Sequence, residues 1–586
     1  MKNSAYPPYS NVKVLVELLK KHGINHVVIS SGTRHTPLVN ILETDSFFQC
    51  YSIVDERSAS FFALGLIQSL QKPVAIACTS GTAVCNYLSG LTEASFQHLP
   101  LLALTADNNS RLLYQAEQMI PQSALTNVIC KKVEIPPLYT RDDFYYCQRL
   151  INEALLELNH HDPSPVNINY TIEFDSISSV TDVKNEFLKK YVINSSLPEV
   201  TKVTLTSGNS TDSEWASKAN ELKKAGKIMV LYGQHLPHNN EDVAVLEEFA
   251  EKYNVVYITD NLSNLHCVGS VLTYLQTPIS GTKLEELAPD ILITVNGNML
   301  SDIKKRVGTF GKRFKHWMIT GDGHFNDPWH CITDVFECRS LEFFKNILKH
   351  TNSGNCNNTY CKTWEASVST PEYDSLPWSD VYVTLHLLNN LPKNSLLHLA
   401  NSTTVRLGNA LAIDSSIDVY CNRGTNGIDG SLSTFIGQSF LTDKLSFLII
   451  GDLSFFYDMN GLWNRYIGNN VRIVLNNNGC GEIFYYADAV KWLGMTENLP
   501  KHIGAAHTTE AKAWVESRGF RYMSAKTKDE FDACLKDFVS DASSSPIFLE
   551  VFTDVNNNYD IVNDTCMPSQ SIKSRMITSF GLRYYD

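Results

Sequence analysis

The chain has 586 residues, 43% hydrophobic and 19% charged, with a formal net charge of −13 and 14 cysteines. At about 150 residues per domain this length asks for three or four cores, and the composition is globular rather than disordered or fibrous. The acidic balance excludes a nucleic-acid binder with a basic stripe, and no run approaches the roughly 18 apolar residues of a membrane span.

The N-terminal "MKNSAYPPYSNVKVLVELLKKHG" lacks the uninterrupted apolar core of a signal peptide, so a cytoplasmic location without membrane insertion is expected. "NVKVLVELLKKHGINHVVISSGTRHTPLVNIL" reads as helix, glycine stop, strand, glycine turn and helix. "KPVAIACTSGTAVCNYLSGLTEASF" repeats strand, small-residue turn and helix, "LPLLALTADNN" is a further buried strand, and the unit closes near residue 175. Residues 176–225 read as a polar linker. A second unit runs from "KIMVLYGQ" to "KHWMITGDG", and "SGNCNNTYCK" reads as a second linker. Its Cys356 and Cys361 fit no zinc spacing, so a reduced surface loop and no structural zinc are expected. The third unit starts near residue 375 and carries "SLLHLANS", "LSFLIIGD", "VRIVLNNNG" and "PIFLEVFTD". Alternation of strands and helices implies parallel sheets covered on both faces. The expected fold is therefore α/β, with three doubly wound parallel-sheet domains divided as 1–180, 181–360 and 361–586.

In such sheets ligands bind beyond the carboxyl ends of the strands. The polar groups that leave apolar runs are thus the candidates, and none is a Walker A loop or a G-x-G-x-x-G turn. Asp452 ends one run and Asn477 the next, 25 residues on, with the intervening "SFFYDMNGLWNRYIG" expected to be helical. A right-handed crossover brings both to one sheet edge. A carboxylate, an amide oxygen and a backbone carbonyl make a hard oxygen site of the kind Mg²⁺ takes, with positions left for phosphate oxygens. The backbone amide at Leu453 and Ser454 open the helix, where an anion is favoured.

"GDLS…NNNG" resembles the metal and diphosphate motif of thiamine-diphosphate enzymes. The resemblance implies a Mg²⁺ (or Mn²⁺) site of Asp452, Asn477 and the carbonyl of Gly479, and three domains that bind the pyrimidine, form a middle layer and bind the diphosphate. It implies that Glu56, in "VDERSASFFALG", is the carboxyl that hydrogen-bonds the cofactor's aminopyrimidine. Ile428 in "NRGTNGIDGSLST" matches the apolar prop of the bent cofactor, with Asn422 and Gly427 beside it. The cofactor would lie between subunits of a homodimer or homotetramer.

Over its whole length the chain is most similar to the 2-succinyl-5-enolpyruvyl-6-hydroxy-3-cyclohexene-1-carboxylate synthase family, through "SSGTRHTPLV", "CTSGTAVCNY", "GKR", "NSTTVR" and "IGDLSFFYDMNGL". That family decarboxylates 2-oxoglutarate and joins the succinyl group to isochorismate in menaquinone biosynthesis. By that resemblance Ser402, Arg406 and Arg423 hold the donor's carboxylates, while Arg34, Gln118, Lys312 and Arg313 contact the acceptor. Arginine suits such work because its fork meets a carboxylate with two parallel bonds. The sequence departs from the family pattern at Ser31, Asn108, Glu117 and Glu482, and the exchange of an arginine for Asn108 with an added anion at Glu117 disfavours a dianionic acceptor. A paralogue with another acceptor or 2-oxo acid is therefore the alternative, for example in surface-polysaccharide or secondary metabolism. A non-catalytic binding paralogue is a further rival, against which Glu56, Asp452 and Asn477 all stand.

Overall fold

The computed structural model describes residues 9–562, apart from 173–196, 198–199, 201–211 and the short stretches 116, 123–127, 296, 311–313, 325, 352–355, 374, 488–489, 491–492 and 496–500. Among the described residues the strands form three six-stranded sheets whose paired strands all run parallel. The first contains β1 (His26–Ile29), β2 (Gln49–Ser52), β3 (Val74–Cys78), β4 (Leu101–Asp107), β5 (Lys131–Ile135) and β6 (Val166–Thr171), in the order β2-β1-β3-β4-β6-β5. The second contains β7 (Ile228–Tyr232), β8 (Val255–Thr259), β9 (Ser270–Leu272), β10 (Ile291–Val295), β11 (Lys315–Thr320) and β12 (Ile332–Glu337), in the order β12-β11-β10-β7-β8-β9. The third contains β13 (Leu396–Leu399), β14 (Asp418–Tyr420), β15 (Ser446–Gly451), β16 (Val471–Asn477), β17 (Arg521–Ala525) and β18 (Ile547–Phe552), in the order β14-β13-β15-β16-β18-β17. The expected α/β class holds. The central strands are buried along their length and read as continuous apolar runs because helices cover both faces.

The first and third sheets have one topology. In each, the chain steps outward from the first strand to the second and then returns across the first to the third, so order reverses between β1 and β3 and again between β13 and β15. Those reversals are where a doubly wound sheet opens a crevice for ligand. The two units share a core: Phe61 and Phe62 of the helix Glu56–Leu70 join Leu432 and Phe435 of the helix Ser431–Phe440. The helices cross at Gly65 and Gly437, where a Cβ on Gly65 would stand 2.1 Å from the Thr434 carbonyl oxygen. Only hydrogen at both positions lets the backbones approach this closely.

The middle sheet has the strand order found in dinucleotide-binding folds, yet its crevice between β7 and β10 is filled by the chain itself. Gly233 lies against Gly297, and the Gln234 amide nitrogen donates to the Cys421 carbonyl of the third unit at 2.7 Å.

Three expectations change. Residues 212–224, read as linker, form a helix that buries Trp215, Ala219 and Leu222. "SGNCNNTYCK" is likewise not a free loop: the helix Thr359–Ser367 begins inside it, and Tyr360, Cys361 and Trp364 are buried against the middle sheet. Polar Asn and Ser residues around three inward-facing side chains masked a helical face. The long helix expected after Asp452 is shorter, an α segment at Asp452–Tyr457 followed by a 3₁₀ turn at Met459–Leu462. Asp458, buried at the junction, accepts from the Ser433 amide and hydroxyl, each at 2.8 Å.

Candidate active site

At the C-terminal end of β15 the Asp452 carboxylate is 3% exposed. Its Oδ1 accepts from the Leu453 amide at 2.6 Å and its Oδ2 from the Gly479 amide at 2.7 Å. The second bond ties the ends of β15 and β16 together, as the parallel register from Ser446 to Gly451 requires. Asn477, at the end of β16, donates through Nδ2 to the Thr509 carbonyl at 2.9 Å and to Glu550 Oε1 at 2.8 Å. Both partners are acceptors, so the amide orientation is fixed and the carbonyl oxygen is the end turned away from them. Gly479 has φ +78°, a left-handed conformation that favours glycine, and its carbonyl accepts from the His507 amide at 2.8 Å, leaving a second lone pair. The donor set is all oxygen, partly buried and net anionic, which fits a hard divalent cation. A Cβ built on Gly451 meets nothing within 4 Å, so space lies open beside the carboxylate. Ser454 spends its hydroxyl on the Ile428 carbonyl at 2.6 Å and so anchors the segment that carries Ile428.

That segment follows β14. Ile428 is 36% exposed, a large aliphatic side chain presented outward. The buried Asn422 donates through Nδ2 to Thr434 Oγ1 at 3.0 Å, while its Oδ1 is buried without a hydrogen-bond partner. An orphaned buried acceptor is costly unless something donates to it, and a polar ring edge of the implied cofactor fits that need. Asn401, at the end of β13, donates to the carbonyls of Asn422 and Gly427 and accepts from Arg423 Nη1 at 3.1 Å, so one amide gathers the loop.

The two arginines expected to meet the donor lie together. Arg406 Nη1 donates to the Ser402 carbonyl at 2.6 Å, and Arg423 is 8% exposed with Nε buried and unpartnered. Burial, and then the charge of Arg423, hold the Arg406 pKa below its usual value. Among the described residues neither guanidinium forms an ion pair with a carboxylate. Two cations held close in a partly desolvated pocket without an acid partner await an anionic ligand. Ser402 sits at φ +83°, ψ −135°, a conformation that favours glycine. The residue that precedes the helix after β3 in the first unit has the same conformation, φ +80°, ψ −140°, and is Gly81. A side chain retained at a glycine position signals that the hydroxyl has a use.

In the first unit Glu56 opens the helix after β2, half-buried, and its Oε2 accepts from Asn86 Nδ2 at 3.3 Å. Its neighbours bind the third unit: Asp55 Oδ2 accepts from Asn460 Nδ2 at 2.8 Å, and the Arg57 guanidinium lies 4.5 Å from the Tyr457 ring centre. Arg34 follows β1, donates to Ser80 Oγ at 3.1 Å and also binds Asn108 Oδ1. Asn108 thus orients Arg34. Gln118 has φ +56°, and its carbonyl oxygen would come 3.2 Å from a Cβ on Gly81, so it belongs to the same strand ends. Glu117 is exposed. Lys312 and Arg313 lie outside the described residues. Glu482 does not face this mouth: it is buried and holds Asn478, Asn558 and the Tyr486 hydroxyl beneath the asparagine run.

Glu93 and Lys304 have no sequence signal. Glu93, 1% exposed in the helix Leu88–Phe96, accepts from the amides of Gly424 and Thr425, each at 2.7 Å, so the first unit grips the Arg423 loop. Lys304, from the middle unit, is partly buried, and burial and then the charge of Arg423 lower its pKa against the opposing pull of Asp260. A buried glutamate or a lone lysine in a helix looks like any other until the chain is folded.

Residues 11–127 match the family model described as thiamine pyrophosphate enzyme, N-terminal TPP binding domain. The chain is similar to 2-succinyl-5-enolpyruvyl-6-hydroxy-3-cyclohexene-1-carboxylate synthase of Bacteroides thetaiotaomicron, 35% identical over 570 residues that cover 95% of this chain and 98% of the relative. Proteins of the same name from Flavobacterium johnsoniae and Cytophaga hutchinsonii are 34% and 30% identical, over 82% and 93% of the chain and 85% and 96% of the relatives.

Proposed function

The chain belongs to the 2-succinyl-5-enolpyruvyl-6-hydroxy-3-cyclohexene-1-carboxylate synthase family of thiamine pyrophosphate enzymes, and on that premise we propose that it decarboxylates 2-oxoglutarate and transfers the succinyl group to isochorismate, as a transferase of menaquinone biosynthesis. Similarity from end to end with relatives of one name carries the reading, and it disfavours a paralogue with another substrate. When bound, thiamine diphosphate supplies the electron sink for the carbon that loses CO₂. Asp452, Asn477 and the Gly479 carbonyl would hold Mg²⁺ (or Mn²⁺), and the metal the diphosphate, with the Leu453 and Ser454 amides nearby. Asn422 and Gly427 would line the ring, and Ile428 would support it.

Glu56 holds or takes a proton at the aminopyrimidine nitrogen, a task that suits a half-buried carboxyl. Arg406, Arg423 and Ser402 bind and orient the dicarboxylate donor. Arg34 and Gln118, with Lys312 and Arg313, receive the acceptor. Asn108 keeps Arg34 in place and so offsets part of the missing cation. Val54, Tyr457 and Trp463 are 40%, 55% and 48% exposed around the Glu56 helix and the third unit. A second copy covering this apolar surface would bring its own strand ends to the cofactor, which supports a homodimer as the minimal active unit. The domains follow the divisions 1–180, 181–360 and 361–586, with the second boundary moved past the helix Thr359–Ser367 because Tyr360 and Trp364 pack on the middle sheet.

Purified protein with thiamine diphosphate, Mg²⁺ and 2-oxoglutarate is expected to release CO₂ with strong stimulation by isochorismate, and mass spectrometry should find the succinylated adduct. Release indifferent to isochorismate would remove the acceptor assignment, and no release would remove the donor. Ser402→Gly separates strain from use. Relief of the backbone strain should leave stability unchanged or raised by about 1 kcal/mol in denaturant titration. Loss of the hydroxyl should raise KM for 2-oxoglutarate by roughly tenfold. An unchanged KM would take Ser402 out of the donor pocket.

A further inference from the structure

We infer that His316, Asp327 and Cys331 form a second cation site, for an ion of the zinc class, in the middle unit. His316 lies on β11, and the other two on the connection 321–331 that leads to β12. One ligand atom from each residue lies within 4.8 Å of the others, and His316 Nδ1 stands 3.7 Å from Asp327 Oδ1. That distance is too long for a hydrogen bond. Around a tetrahedral zinc, with bonds of about 2.0–2.1 Å to nitrogen and oxygen and about 2.3 Å to sulfur, ligand atoms stand roughly 3.3–3.6 Å apart. A small closure of the cluster reaches that geometry, with the fourth position left to water.

The second observation is the imidazole itself. His316 is 1% exposed, and its Nδ1 is buried with no hydrogen-bond partner while aimed at the Asp327 carboxylate. Its Nε2 is held 2.9 Å from Thr294 Oγ1, an outer contact of the sort that orients a ligating histidine. Asp327 accepts from the amides of Cys331 and Ile332, at 3.0 and 3.1 Å, and each oxygen keeps a lone pair. The Trp329 ring, 5.2 Å from the imidazole, covers one side.

The ion would have work to do in the fold. Parallel strands normally need a crossover of a dozen or more residues, usually a helix. Here the connection 321–331 has no helix among its described residues, and it returns so that Ile332 pairs with His316 itself. A metal bound by His316, Asp327 and Cys331 would staple the start of β11 to the last turn before β12. Binding forms the metal–sulfur bond and releases the Cys331 thiol proton to solvent, with no change of oxidation state. The spacing H-x₁₀-D-x₃-C matches no zinc pattern readable in sequence, which is why only the fold brings it out.

The test uses full-length protein saturated with thiamine diphosphate and Mg²⁺, so that the Asp452 site is occupied. Zinc added and then gel-filtered is expected to stay at one ion per chain and to raise the thermal midpoint. Cobalt is expected to give a thiolate charge-transfer band. Cys331→Ser, a change at a partly exposed residue outside the catalytic machinery, should abolish the band and the zinc-dependent rise while leaving turnover unchanged. His316→Gln should do the same if it folds. Failure to retain zinc, or a cobalt band that survives in Cys331→Ser, would overturn the proposal.

Discussion

Glu56→Gln is expected to fold, to bind thiamine diphosphate and to lose about 10²–10⁴-fold in turnover, the range a positioned acid–base group supplies. The fold should survive because Glu56 does not cap its helix. Asp55 is the N-cap, accepting from the Ser58 amide at 3.1 Å and bracing Asn460 of the third unit. The helix buries eleven residues, from Ser58 to Gln68. Neutralising Glu56 weakens the bond from Asn86, which the glutamine oxygen can still accept, and removes a favourable interaction with the helix dipole of about 0.3–1 kcal/mol. Glutamine keeps the shape and can still bond a ring nitrogen, but it cannot hold or give the proton. Calorimetric titration of the cofactor, a thermal melt and turnover therefore separate three roles in one variant. Intact turnover would remove Glu56 from the machinery, and loss of folding would make it structural.

Arg406→Leu should move function and stability in different directions. Hydrogen bonds to charged groups contribute about 1.5–3 kcal/mol, so losing this guanidinium should raise KM for 2-oxoglutarate by roughly 10- to 150-fold. Stability should be unchanged or higher. Arg406 donates to only one backbone carbonyl, it is partly desolvated, and Arg423 repels it. Replacing a partly desolvated charge that has no carboxylate partner with an apolar side chain removes a cost rather than a support. A structural arginine would behave in the opposite sense, with a fall in the denaturation midpoint and an unaltered KM. Glu93 matters although it matches no motif, because it fixes the loop that carries Arg423.

The amino-acid sequence by itself determined what is local. Apolar runs ending in Asp, Asn, Ser or Gly mark parallel strands and their ligand-bearing ends, since burial on both faces demands continuous hydrophobes and the crevice demands polar exits. Asp452 and Asn477 were legible for that reason, whereas the roles expected of Glu56, Ser402 and Arg423 came from the family resemblance. The fold alone decided what joins distant segments. Glu93 reaches Gly424 across 331 residues, and His316 meets Cys331 only because β11 and β12 lie side by side. The helix at Thr359–Ser367 was hidden by its Asn- and Ser-rich surroundings until Tyr360 and Trp364 packed against the middle sheet. Periodicity and turn chemistry act over a few residues, whereas strand order and helix crossings set which remote side chains converge, and no short stretch of sequence carries that information.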